Sequence, residues 1–129
     1  MTSADSGQPP TRPIPACLDA STLQQLLDLD DGQTGLLAEL YGLFKEDTPG
    51  RIEGLHRSLA AGDPTTTAEL AHAVKGAAGT IGAARMRGIA SDLEKAGKAG
   101  RVDDQTRQWL ADLEASYAET CAALDAYLG

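Results

Sequence analysis

One short stretch holds the residues whose types and spacing suit a chemical task. Residues 68–83 read AELAHAVKGAAGTIGA. On a wheel of about 100° per residue, Leu70, Val74, Ala77 and Ile81 fall together as the expected buried face, and His72 points the opposite way. Lys75, Gly76, Gly79 and Ala83 share the histidine's side and are expected at the surface, with Ala78 at the flank. Glycine inside a helix costs about 1 kcal/mol relative to alanine, so two of them beside a histidine point to clearance for another protein approaching the ring. A histidine of ordinary basicity is largely neutral at pH 7 and has a ring nitrogen lone pair available as a nucleophile. A lysine one turn further on supplies a positive charge suited to a phosphoryl group, which brings about −1.5 to −2 charge. The chemistry expected here is phosphoryl acceptance at His72 with electrostatic help from Lys75.

The elements that must position this helix are legible from apolar spacing. Leucine and alanine recur every three or four residues, and no stretch alternates with period two, so the fold class is all-α. A short first helix is expected after Ser21 as N-cap, carrying Leu23, Leu26 and Leu27 until Asp30-Asp31-Gly32 ends it. From Thr34 the positions Leu37, Leu40, Phe44, Thr48, Ile52, Leu55 and Leu59 keep their spacing across Pro49. That pattern predicts one long helix kinked at the proline, with a break into two helices as the alternative. Asp63-Pro64 pairs a capping acid with proline at the first helical position and opens the helix carrying His72, which should run to about Gly82. A fourth helix from Ala83 to about Gly97 turns Met86, Ile89, Ala90 and Leu93 inward. The last begins near Asp103 and aligns Leu110, Leu113, Tyr117, Cys121, Leu124 and Leu128. Such stripes predict an antiparallel four-helix bundle with an additional short N-terminal helix.

Composition narrows the function further. The 129 residues carry a net charge of −8, and residues 1–16, rich in proline (Pro9, Pro10, Pro13, Pro15), are expected to form a disordered tail or linker ahead of a domain at 17–129. No apolar run approaches the ~20 residues of a membrane span, and the N-terminus lacks the basic and apolar regions of a signal peptide. A cytoplasmic protein without membrane contact is expected. The acidic balance argues against nucleic acid as a partner. Cys17 and Cys121 lie far apart with no CxxC or Cys/His pairing, so two free thiols and no metal site are expected.

Charge is nonetheless uneven. Residues 75–101 hold Lys75, Arg85, Arg87, Lys95, Lys98 and Arg101 against Asp92 and Glu94, a net of +4, while 17–74 carry −7 and 102–129 carry −5. A basic patch beside His72 would steer a partner with an acidic active site and repel other approaches.

His72-Ala73-Val74-Lys75-Gly76 followed by Gly82-Ala83 resembles the H-x-[LV]-K-G-x5-G-A signature of histidine-containing phosphotransfer domains. The leucine and phenylalanine pattern at 37–44, Pro49, the Ala60-Ala61-Gly62-Asp63 break and the basic segment after the motif resemble that family too. The resemblance implies a phosphoryl carrier rather than an enzyme. It takes the group from a receiver-domain aspartate onto the histidine matching His72 and passes it to another receiver. Lys75 would assist, and Gly76 would give the receiver access. Ala68, Gly79, Ala83, Arg85 and Arg87 join Gly76 as expected docking positions. The chain would need no cofactor of its own, the Mg²⁺ belonging to the partner receiver, and would act as a monomer. Ala77 and Ala78 depart from the small polar residues common there, a change expected to bear on rate or partner choice rather than on acceptance. The alternative is an interaction module of the same shape that docks a receiver or kinase without carrying phosphate. Of the remaining candidates, His56 is expected to be a solvated side chain and Trp109 a partly buried packing residue.

Overall fold

The computed structural model describes residues 14–129, which form five helices: α1 (Ala20–Leu29), α2 (Gly35–Ala60), α3 (Pro64–Thr80), α4 (Ala84–Lys98) and α5 (Asp104–Leu128). The tail expected at 1–16 lies outside the described residues up to position 13. Ile14, assigned to that tail, is instead partly buried against the core.

Capping acids set three of the helix starts. Asp63 accepts a hydrogen bond from the Thr66 backbone N–H at 3.1 Å and Pro64 takes the first position of α3, as the sequence predicts. Asp103 and Thr106 form a reciprocal capping box at the start of α5. At α1 the cap is Asp19, not Ser21: its carboxylate accepts from the Ser21 N–H at 3.1 Å and from the Thr22 hydroxyl at 2.8 Å. Two backbone and side-chain donors outcompete the single contact a serine hydroxyl provides.

The long α2 continues unbroken through Pro49, so the one-helix reading holds. Its buried face holds Leu37, Phe44, Thr48, Ile52, Leu55 and Leu59 of the expected stripe, but Tyr41 takes the buried place expected of Leu40, which is only partly covered. Tyr41 earns its place through its hydroxyl, which donates into a pair of acceptors on α5, the Asp125 carboxylate at 2.8 Å and the Cys121 carbonyl at 3.0 Å. The helices α2, α3, α4 and α5 contact one another in sequence and α5 returns to α2, closing a four-helix ring joined by short turns. Short connections make successive helices antiparallel. Leu55, Val74, Met86, Leu93, Leu113 and Leu124 fill the centre with essentially no exposure. Both cysteines are free thiols.

The first helix packs on α2 and braces the α3–α4 turn, where the Asp19 N–H donates to the Gly82 carbonyl at 2.7 Å. Gly82 has φ of +76°, and a Cβ there would meet the Asp19 carbonyl oxygen at 3.2 Å and Thr22 Cβ at 3.1 Å. Only glycine combines that left-handed backbone with so close an approach.

Candidate functional site

The closest helix pair, α3 and α4, builds the site. Its seam is lined by small residues: Ala68, Ala71 and Ala78 of α3 are buried, as are Ala90, Ala96 and Gly97 of α4. A Cβ on Gly97 would stand 2.7 Å from the Pro64 carbonyl oxygen and 2.8 Å from the Ala68 nitrogen. The missing side chain therefore lets the two backbones approach directly.

This seam corrects the helical wheel. Val74 and Ile81 are buried as expected, but Leu70 and Ala77 are only partly covered, and Ala78 rather than Ala77 is fully buried. The apolar face opposite His72 is not the whole covered side, because α4 covers the alanine side of α3. Two expected docking residues fall with it. Ala83 is completely buried at the start of α4, and Ala68 is 8% exposed, packed beneath Gly97, so neither offers a broad surface to a partner.

His72 stands at the rim of the seam with its side chain 69% exposed. Behind it lies Glu94 of α4, which is 3% exposed. Glu94 Oε2 lies 2.8 Å from His72 Nδ1 and 3.1 Å from Lys98 Nζ, and Oε1 lies 2.6 Å from Lys75 Nζ. The ammonium groups of Lys75 and Lys98, with the imidazole, hold the Glu94 carboxyl down to about 2 against the opposing effect of its burial. An ionised carboxylate only accepts hydrogen bonds, so Nδ1 of His72 is the donor and carries the ring proton. Nε2 is then the nitrogen with the lone pair.

Glu94 is the site residue that sequence reasoning missed. By charge count alone it only subtracts from the basic patch. Its spacing of four from Lys98 was the available signal, but nothing in the sequence sets α4 in register with His72.

Gly76 is exposed, with nothing within 4 Å of where a Cβ would stand, and Gly79 lies partly covered near the Arg87 side chain, whose Cδ would be 3.4 Å from such an atom. Lys75, Gly76, Gly79 and Arg87 border one open hollow, which His72 does not line. Thr65, Glu69, Gly97 and Lys98 border another together with His72 and Glu94. Arg85 is not brought to the site; its Nη1 donates to both carboxylate oxygens of Glu119 of α5, at 2.7 and 2.8 Å. The basic patch is thus narrower than its count of charges, since Glu94, Glu119 and Asp103 engage Lys75, Lys98, Arg85 and Arg101. His56, on the outer side of α2, is exposed and pairs with Glu114 of α5 at 2.8 Å. Trp109 is partly buried, with the Arg101 guanidinium 5.8 Å from its ring centre.

Comparison with known families decides the classification. Residues 39–126 match the model of the Hpt domain. The chain belongs to the Hpt domain family. This Hpt domain is 24% identical over 113 residues to the aerobic respiration control sensor protein ArcB of Escherichia coli strain K12, a match covering 88% of the chain and 14% of that protein. The chain therefore spans about a seventh of the length of that curated relative. Its fold matches the histidine-containing phosphotransfer domain of Escherichia coli ArcB with a TM-score of 0.76 and 25% identity, covering 88% of this chain and 93% of that one. It also matches histidine-containing phosphotransfer protein B of Pseudomonas aeruginosa PAO1 with a TM-score of 0.71 and 25% identity, covering 80% and 86%. The Hpt domain described here is accordingly a helical-bundle phosphotransfer module of the phosphorelay type, a phosphoryl carrier rather than a catalytic domain.

Proposed function

We propose that His72 is the phosphoacceptor of this module, receiving a phosphoryl group from a receiver-domain aspartate at Nε2 and passing it to a second receiver. The observation that carries the reading is the hydrogen bond from Nδ1 of the exposed His72 to the buried, ionised Glu94. It fixes the tautomer, holds the ring upright and leaves Nε2 as the nucleophile facing outward. Lys75, 31% exposed and bound to Glu94, keeps a positive charge beside the path of the incoming group. Gly76 leaves room over the helix for the receiver. Catalysis of the transfer falls to the receiver, whose Mg²⁺ and carboxylates polarise the phosphoryl group. The module works in the cytoplasm, as a monomer that meets receivers one at a time.

The test is to incubate the protein with a phosphorylated receiver domain and Mg²⁺, then measure intact mass and the acid lability of the added group, beside His72→Gln. An acid-labile gain of one phosphoryl group on the wild type alone is expected. Phosphorylation of the Gln variant would refute the assignment. Receiver binding that survives His72→Ala, with no phosphohistidine formed, would instead support a docking module.

A further inference from the structure

The acceptor's surroundings also bear on what happens after phosphorylation. When Nε2 attacks the aspartyl phosphate, the N–P bond forms and the P–O bond breaks, with its electron pair leaving on the aspartate. The ring then carries phosphorus on Nε2 and the original proton on Nδ1, so it is an imidazolium. Two fates follow: the proton leaves for solvent and gives a neutral phosphohistidine, or it stays. The distinction matters because phosphorus departs readily from an imidazolium, whose ring leaves as neutral imidazole. A neutral ring would have to leave as an imidazolate anion.

We infer that Glu94 is a positioning residue that keeps Nδ1 protonated through the phosphorylated state, so that the domain holds its phosphoryl group as a primed donor rather than as a stable store. This inference rests on His72 being the phosphoacceptor. Three observations carry it. Glu94 is nearly fully buried yet 2.8 Å from Nδ1 of the exposed ring, so the carboxylate side of the contact is largely withdrawn from water. Its other oxygen is held by Lys75, and Lys98 shares the oxygen that faces the ring, so the carboxylate stays ionised and does not take the imidazolium proton. The charged groups facing the ring are Glu69 and Lys75 from α3 and Glu94 and Lys98 from α4, and of these Glu94 is the one in contact with Nδ1. Transfer in either direction then moves no net proton: the electron pair of the breaking N–P bond returns to Nε2, and the neutral ring with its Nδ1 proton is restored.

Glu94→Gln separates charge from orientation, because the amide oxygen can still accept a hydrogen bond from Nδ1–H while offering no negative charge. Wild type, Glu94→Gln and Glu94→Asp would each be phosphorylated with phosphoramidate, without a receiver, and ring protonation followed by ¹⁵N NMR while loss of phosphoryl group is timed from pH 6 to 9. The expected wild-type result is a protonated Nδ1 in the phosphorylated ring and a loss rate that changes less than about twofold across that range. In Glu94→Gln the rate should fall about tenfold per pH unit once the ring deprotonates, with partial recovery in Glu94→Asp. Identical pH profiles for wild type and Glu94→Gln, or a deprotonated Nδ1 in phosphorylated wild type at pH 7, would overturn the inference while leaving His72 as acceptor. No phosphohistidine in any of the three proteins would overturn the acceptor reading itself, and this inference with it.

Discussion

Glu94 and His72 meet across the α3–α4 seam, a buried carboxylate 2.8 Å from Nδ1 of an exposed imidazole. The pairing depends on backbones close enough for a short side chain on one helix to lie beneath a ring on the other. It converts a surface histidine into a ring of defined tautomer, and it makes the small residues of the seam part of the chemistry rather than mere packing.

Two glycines should therefore respond oppositely to the same substitution. Gly97→Ala places a methyl group against the Pro64 carbonyl and the Ala68 nitrogen, which is backbone that cannot move aside cheaply. It should destabilise the fold by about 1–3 kcal/mol and slow transfer by displacing Glu94. Gly76→Ala meets nothing within 4 Å and should raise stability by up to about 1 kcal/mol, yet slow transfer by crowding the receiver. Urea denaturation and single-turnover transfer on both variants separate the two effects.

Lys75→Ala should leave the fold intact, with a melting temperature within about 3 °C of wild type, because the side chain is at the edge of the seam and one of two lysines on Glu94. Transfer from a phosphorylated receiver should slow on the order of tenfold or more, since a charge aimed at the phosphoryl path is lost. Rapid-quench kinetics at saturating receiver provide the measurement. Unchanged rates would remove Lys75 from the mechanism.

Stability should fall in acid, and the sign follows from Glu94. Its folded value is held at about 2, below the ordinary 4.5, so the folded state binds the proton less readily than the unfolded chain. The stabilisation is fully present above pH 4.5 and is lost progressively towards pH 2. The capping carboxylates are also held low, Asp63 by hydrogen bonds from Thr66 in the first turn of α3 and Asp103 by the Thr106 N–H in the first turn of α5, and act in the same direction. Urea midpoints should be nearly constant from pH 7 to 5 and decline below, with a shallower decline in Glu94→Gln.

Thr48 is fully buried in α2 and its hydroxyl has no hydrogen-bond partner among the described residues. The other buried hydroxyls of Ser58, Thr67, Thr106, Ser116 and Thr120 are all bonded. Replacing an unsatisfied buried hydroxyl by a methyl of the same shape removes its desolvation penalty. Thr48→Val should gain about 1 kcal/mol in thermal or chemical denaturation, and a loss of stability would show that the hydroxyl finds a partner in solution.

The sequence by itself determined the helices and singled out His72 as the candidate acceptor. Asp63-Pro64 and Asp103 mark starts through local capping, and apolar residues every three or four positions mark the faces, because both are governed by contacts within a turn or two. His72, Lys75 and Gly76 were legible together for the same reason, lying within one turn of one helix. The tertiary structure decided what surrounds them. Alanine and glycine contribute little to an apolar stripe, yet they allow the closest approach of two helices, so the covered side of α3 proved to be the one bearing Ala71 and Ala78. That approach buried Ala68 and Ala83 and set Glu94 beneath His72. The register between two helices depends on the packing of both surfaces at once, and no spacing within either helix encodes it.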